Sequence, residues 1–137
     1  MTFLSGSGYS GTPLPAKLGI KPGTRVLLDG APADFDLGQL PEQVTLHTRL
    51  SSSYDVAVLF CLDHARLAQR WPVLHERVTP AGKLWVAWPK KASGIATDLG
   101  DGPVREFGLA HGRVDVKVCA IDATWSGLAF VVRVADR

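Results

Sequence analysis

The sequence predicts a three-layer α/β domain whose sheet is mostly parallel and ends in a C-terminal antiparallel strand pair. Three observations predict it. Arg25–Asp29 (RVLLD), Asp55–Cys61 (DVAVLFC) and Leu84–Trp88 (LWVAW) are continuous apolar runs of strand length, the pattern of strands buried on both faces. Between the last two, Leu67, Trp71, Leu74 and Val78 recur at helical spacing and form one apolar stripe. Near the end, Val114–Ile121 and Leu128–Val134 alternate in strand fashion and are closely joined, so antiparallel pairing is expected.

The elements follow in order. Residues 1–11 are rich in Gly, Ser and Thr and are expected to form a flexible N-terminus, leaving 12–137 as a single α/β domain. Thr12 and Pro13 suit the start of a short helix carrying Leu14, Lys17 and Leu18. Lys21-Pro22-Gly23 is a turn signal, and the strand Arg25–Asp29 follows. Gly30, Ala31 and Pro32 lead into a polar stretch with at most one or two helical turns over Asp34–Leu40. Val44–Arg49 alternates as a second strand, and Ser51 to Ser53 link it to Asp55–Cys61.

Asp63 is placed to cap the next helix. Pro72 falls inside that helix and predicts a kink or two short helices. Thr79-Pro80-Ala81-Gly82 closes the unit. In the strand that follows, Trp85 and Trp88 are three apart and point to opposite faces. Pro103 opens a helix carrying Val104, Phe107 and Leu109, and Gly112 ends it. The strand Val114–Ile121 has one apolar face (Val114, Val116, Val118, Ala120), and Asp122–Ser126 is read as the loop before the last strand.

Composition narrows the function classes. An apolar fraction of 46% and a charged fraction of 20% belong to an ordinary globular protein. A formal net charge of +2 is too small to mark a nucleic-acid binder, which would need Lys17, Lys21, Arg49, Lys90 and Lys91 on one face. No apolar run is long enough to span a membrane, and Met1–Gly11 lacks the pattern of a signal peptide. The expected location is cytoplasmic. Cys61 and Cys119 lie in apolar runs and are expected as free buried thiols; Cys61 and His64 have no second ligand pair, so no metal site is expected.

The candidate site is Lys83–Gly94, KLWVAWPKKASG. Pro89 removes a ladder donor and stops the strand, and a parallel sheet binds ligands beyond the carboxyl ends of its strands. Lys90, Lys91 and Ser93, with the amides around Gly94, have the donors to hold a phosphate or carboxylate; the other reading is a solvated charged loop. Gly30 and Cys61 end neighbouring strands and are expected near Lys90. Trp125 sits in the closing hairpin as a lid on the domain or as an interface anchor.

Tyr54–Phe60 (YDVAVLF) and Thr79–Val86 (TPAGKLWV), with the closing strand pair, resemble the class I methyltransferase fold. This resemblance implies a Rossmann-like scaffold. That family's glycine-rich cofactor loop corresponds to Asp29-Gly30-Ala31-Pro32, which has one glycine. Its ribose-binding carboxylate corresponds to His47, Thr48 and Arg49, where an arginine has no acceptor to offer a hydroxyl. The expectation is that S-adenosylmethionine does not bind and that no cofactor is used. Three further blocks, GYSGTPLPAKLGIKPG, LWVAWPKKASGIATDLG and VDVKVCAIDATWSGLAFVVR, resemble a small bacterial family known as domain of unknown function 3052. That resemblance implies no activity.

No nucleophile–base pair is readable. His47, His64, His75 and His111 fall on a strand, within a helix or at a helix end, and Ser93 has no diagnostic partner. The sequence therefore reads as a non-catalytic domain binding an anionic small molecule or a protein partner, including a second copy of itself. The alternatives are a methyltransferase with an atypical cofactor loop and a weak nucleic-acid binder.

Overall fold

A computed structural model describes residues 12–137; the expected N-terminal segment 1–11 lies outside the described residues. Helix α1 (Leu14–Leu18) is followed by strands β1 (Arg25–Asp29), β2 (Thr45–His47) and β3 (Tyr54–Phe60). Helix α2 (His64–His75), strand β4 (Val78–Pro89), a 3-10 turn (Lys91–Ser93) and helix α3 (Asp101–Ala110) come next. Strands β5 (Val114–Ala120) and β6 (Trp125–Val131) follow, and then a second 3-10 turn (Val134–Asp136).

The six strands form one sheet in the order β2-β1-β3-β4-β6-β5. The pairs β1–β2, β1–β3 and β3–β4 are parallel, and β4–β6 and β5–β6 are antiparallel. This corrects the expected mostly parallel, three-layer Rossmann-like sheet: the sheet is mixed and its three helices are short. The cause lies mainly between β1 and β2. Residues 30–44 form turns and bends with no helix, and β2 is only three residues long. A parallel sheet needs a helix on each face to bury it. Here one face carries α2 and α3, whereas the other has the five-residue α1 and the irregular segment around Phe35, Leu37 and Leu40.

The core divides accordingly. Leu67, Trp71 and Leu74 of α2 and Val104 and Phe107 of α3 pack against Leu59, Val86, Trp88 and Phe130. Leu18, Ile20 and Leu37 pack on the opposite face against Val58, Phe60, Trp85 and Ala129. Trp85 and Trp88 thus lie in different layers, and the indole N–H of Trp85 donates to Leu18 O at 3.0 Å.

Three local expectations change. Helix α2 runs through Pro72 as one element; the ring removes one backbone bond, while Trp71 and Leu74 on either side stay buried. Leu109 is exposed rather than inward-facing. The valine face of β5 is also uncovered, with Val116 52% and Val118 56% exposed. A register shift between Asp115 and Lys117 breaks the strict alternation that predicted one buried face.

Candidate functional site

The carboxyl ends of β1, β3 and β4 deliver Asp29, Phe60 and Pro89 to one edge of the sheet. Strand β6 starts there too, with Trp125 opposite Pro89. The amide of Lys90 donates to Thr124 O at 2.8 Å and ties the chain leaving β4 to the β5–β6 turn.

At the β1 end the charges are already paired. Asp29 is 8% exposed. Its Oδ1 accepts from Arg66 Nη2, and its Oδ2 accepts from Arg70 Nε at 3.0 Å and Nη2 at 2.7 Å. Arg66 Nε also donates to Phe60 O at 2.9 Å. Gly30 turns the chain in the left-handed region, φ +77°, and a Cβ there would lie 2.5 Å from Arg66 Nη2. Only glycine meets both demands. The first turn of α2 is likewise occupied: Asp63 Oδ1 accepts from the Arg66 amide at 2.9 Å, and Asp98 Oδ1 accepts from the His64 amide at 2.8 Å.

Two depressions open at this edge. A cleft of about 640 Å³ is bordered by Gly30, Phe60, Asp63, Arg66, Ile95 and Trp125. A groove of about 1020 Å³ lies beside α1, the 36–41 segment and the β5–β6 turn, and Lys90 is on its wall. Asp34 borders the cleft and Asp36 the groove. Phe35, between them in the chain, meets Phe60 edge-on at 4.9 Å.

The structure therefore separates residues that the sequence reading grouped. Gly30 borders the cleft and Lys90 the groove. Cys61 borders neither; it is fully buried, and desolvation pushes its thiol up to about 12 against the opposing pull of Arg66. Cys119 is half-buried and also raised, mainly by burial; both thiols are free. Lys91 is exposed at the start of the 3-10 turn. The Ser93 hydroxyl donates to Lys90 O at 2.6 Å and accepts from the Ile95 amide at 3.1 Å. Gly94 takes φ +77°, and its amide donates to Lys91 O at 3.2 Å. Ser93 and Gly94 thus close the turn on itself, and of Lys90 and Lys91 it is Lys90 that lines a depression.

Trp125 is the first residue of β6 rather than part of the loop. It is 6% exposed and stands edge-on to Phe60 at 5.1 Å and 87°, packing back on its own domain. His111, His64 and His75 have structural surroundings, whereas His47 stands edge-on to Tyr54 at 5.4 Å with its buried Nε2 unpartnered among the described residues. The ring of His111 shares a 2.7 Å hydrogen bond with Phe107 O and stacks on Phe107 at 3.9 Å. His64 meets the other edge of Phe107 at 5.5 Å. His75 Nδ1 accepts from Arg113 Nε at 2.9 Å.

Sequence reasoning missed Arg66, Arg70, Arg113 and the groove-forming segment 36–41. Arg66 and Arg70 are four apart on a helix that follows a strand, so they share a helical face. That spacing is a readable sign of a two-pronged clamp, although nothing local names Asp29 as its target. Arg113 carried no such sign. Among the described residues no group of three or more His, Cys, Asp or Glu side chains converges on a metal position, and no helix is long and apolar enough to cross a membrane. Comparison of the chain with protein-family models and with curated proteins gives no match.

Proposed function

We propose that this domain is a binding module, not a catalyst, and that it takes an anionic small molecule in the groove beside α1, anchored by Lys90. One observation carries the reading. Lys90 follows the strand-stopping Pro89, lines a groove of about 1020 Å³, and its ammonium has no hydrogen-bond or ion-pair partner among the described residues. A lysine is a mobile point charge that holds a carboxylate or phosphate without demanding bidentate geometry. The groups that would serve nucleophilic or acid–base chemistry have other duties: Cys61 is buried as a thiol, Ser93 closes a turn, and His75 receives Arg113. Arg66 filling the space over Gly30 supports a ligand other than S-adenosylmethionine. The resemblance to domain of unknown function 3052 is retained within this proposal as the family assignment.

The test is a thermal-shift screen of carboxylates and phosphates on wild type, Lys90→Ala and Lys91→Ala. A ligand at a hundredfold its dissociation constant adds about 2.7 kcal/mol of stability. Wild type and Lys91→Ala respond and Lys90→Ala does not. An equal response in Lys90→Ala, or none in wild type, overturns the reading.

A second reading, a protein partner, is favoured by β5. It is an edge strand with Val116 and Val118 exposed, and unpaired edges template strand addition. Light scattering tests it: a mass above the monomer that Val116→Lys/Val118→Lys returns to the monomer supports this reading, and a monomeric wild type rules out self-association.

A further inference from the structure

Resting on the Lys90 reading above, we infer that the ligand of the groove is an aliphatic amphiphile: a chain of several methylenes ending in a single carboxylate or phosphate. The lining decides this. Leu14, Ile20, Leu37, Leu40 and Ile121 give the groove an aliphatic body, of which Ile20, Leu37 and Ile121 are themselves buried in the domain core. Among the described residues no aromatic side chain lines it; the rings of this edge, Phe60 and Trp125, border the other cleft. A nucleobase is held by stacking on rings, so the walls suit a flexible hydrocarbon instead. The volume points the same way. About 1020 Å³ is at the upper end of small-molecule sites, far more than a bare phosphate fills.

The charges lie where an acid head would need them. Lys17 and Lys90 both line the groove. The ammonium of Lys17 donates to Ala120 O at 3.2 Å, which holds its positive charge against the end of β5. The two carboxylates on the lining are turned onto backbone amides. Asp36 Oδ1 accepts from the Gly38 amide at 2.8 Å. Asp122 Oδ1 accepts from the Thr124 and Trp125 amides, each at 2.8 Å. Those bonds partly offset their negative charge, and Lys90 keeps its own undivided. A single anionic group on an apolar body is the complementary ligand.

The experiment titrates the full chain with butanoate, hexanoate, octanoate and decanoate below their micelle concentrations, with decanol and inorganic phosphate alongside. Each methylene buried in the groove tightens binding by up to about fourfold, so affinity climbs along the acid series. Lys90→Ala weakens decanoate about tenfold and leaves decanol unchanged. Leu14→Ser flattens the climb, weakening decanoate by a larger factor than butanoate. If butanoate and phosphate bind through Lys90 as tightly as decanoate, the amphiphile inference fails and the anion-binding reading stands. If no acid binds, or if Lys90→Ala binds decanoate as wild type does, both fail.

Discussion

Lys90 and Arg113 are cations at opposite edges of one sheet, and neither is paired with a carboxylate among the described residues. Their fates differ. Arg113 enters the start of β5 with 2% of its surface exposed. Its Nε donates to His75 Nδ1 at 2.9 Å and its Nη2 to His75 O at 3.1 Å, while Nη1 has no partner. Burial lowers its pKa to about 10. Lys90 leaves β4 half-exposed on the wall of a groove. Arg113 spends its donors on the end of α2 and so acts as a structural bolt between helix and strand. Lys90 spends none on a side chain. An unpaired charge informs about function only when it is reachable, and burial separates the two cases.

The largest effect expected at these cations comes from removing the bolt. Arg113→Ala deletes a buried stem and strands His75 Nδ1 and the carbonyl of His75, at a cost of about 3 kcal/mol. Arg113→Met keeps the stem and discards a desolvated charge. It leaves the same two His75 acceptors without a donor but opens no cavity, so the variant is expected to lose about 1–2 kcal/mol, less than Arg113→Ala. Urea midpoints of the two variants check this. Equal losses would mean that the guanidinium bonds, not the packing, carry the joint, and the contrast with Lys90 would then rest on hydrogen bonding.

A smaller effect is pH dependence at the same joint. His75 accepts from Arg113 through Nδ1, which requires the neutral ring. Burial first, and the Arg113 charge second, lower its pKa, with Glu76 pulling the other way. The unfolded chain takes up this proton near the ordinary imidazole value of about 6.5, whereas the folded chain resists until lower pH. The unfolded state therefore binds more protons in that window, and stability falls as pH drops below about 6.5. Thermal melts between pH 7 and pH 5 should show the decline in wild type and a shallower one in Arg113→Met. A decline of equal slope in both would place its origin elsewhere.

The parts that could be read from sequence are those encoded by neighbours along the chain. The apolar run Arg25–Asp29 became β1 with those bounds, and Asp63 caps α2 through the Arg66 amide three residues on. Pro89 likewise ended β4 and located Lys90. What escaped depends on partners far along the chain. Asp29 meets Arg66 and Arg70 across 37 and 41 residues, and Lys17 reaches Ala120 across 103. The valine face of β5 alternates in sequence, but its register shift against β6 and its place at the end of the strand order leave it uncovered, and no local pattern records either. The expected three-layer sheet failed for a related reason. Periodicity found where the strands lie but not all their bounds, since Val78–Gly82 belong to β4 and Trp125 and Ser126 to β6, and it did not show the absence of a covering helix between β1 and β2.

The smallest expected effect sharpens the comparison most. Lys90 makes no side-chain bond with the described residues and keeps part of its surface in water, so Lys90→Ala removes little that the fold uses. Exposed substitutions of this kind usually change stability by less than about 0.5 kcal/mol. Its backbone bonds to Thr124 and Ser93 survive the change. The melting temperature without ligand should therefore match wild type, even though the response to anions is lost. Lys91→Ala should be silent in both measurements, since Lys91 is exposed and outside the groove lining. A loss of more than about 1 kcal/mol in Lys90→Ala without ligand, a size reserved for core, cap or buried-network changes, would show that this ammonium supports the domain. Lys90 would then belong with Arg113 as a structural cation, and the groove would lose its anchor.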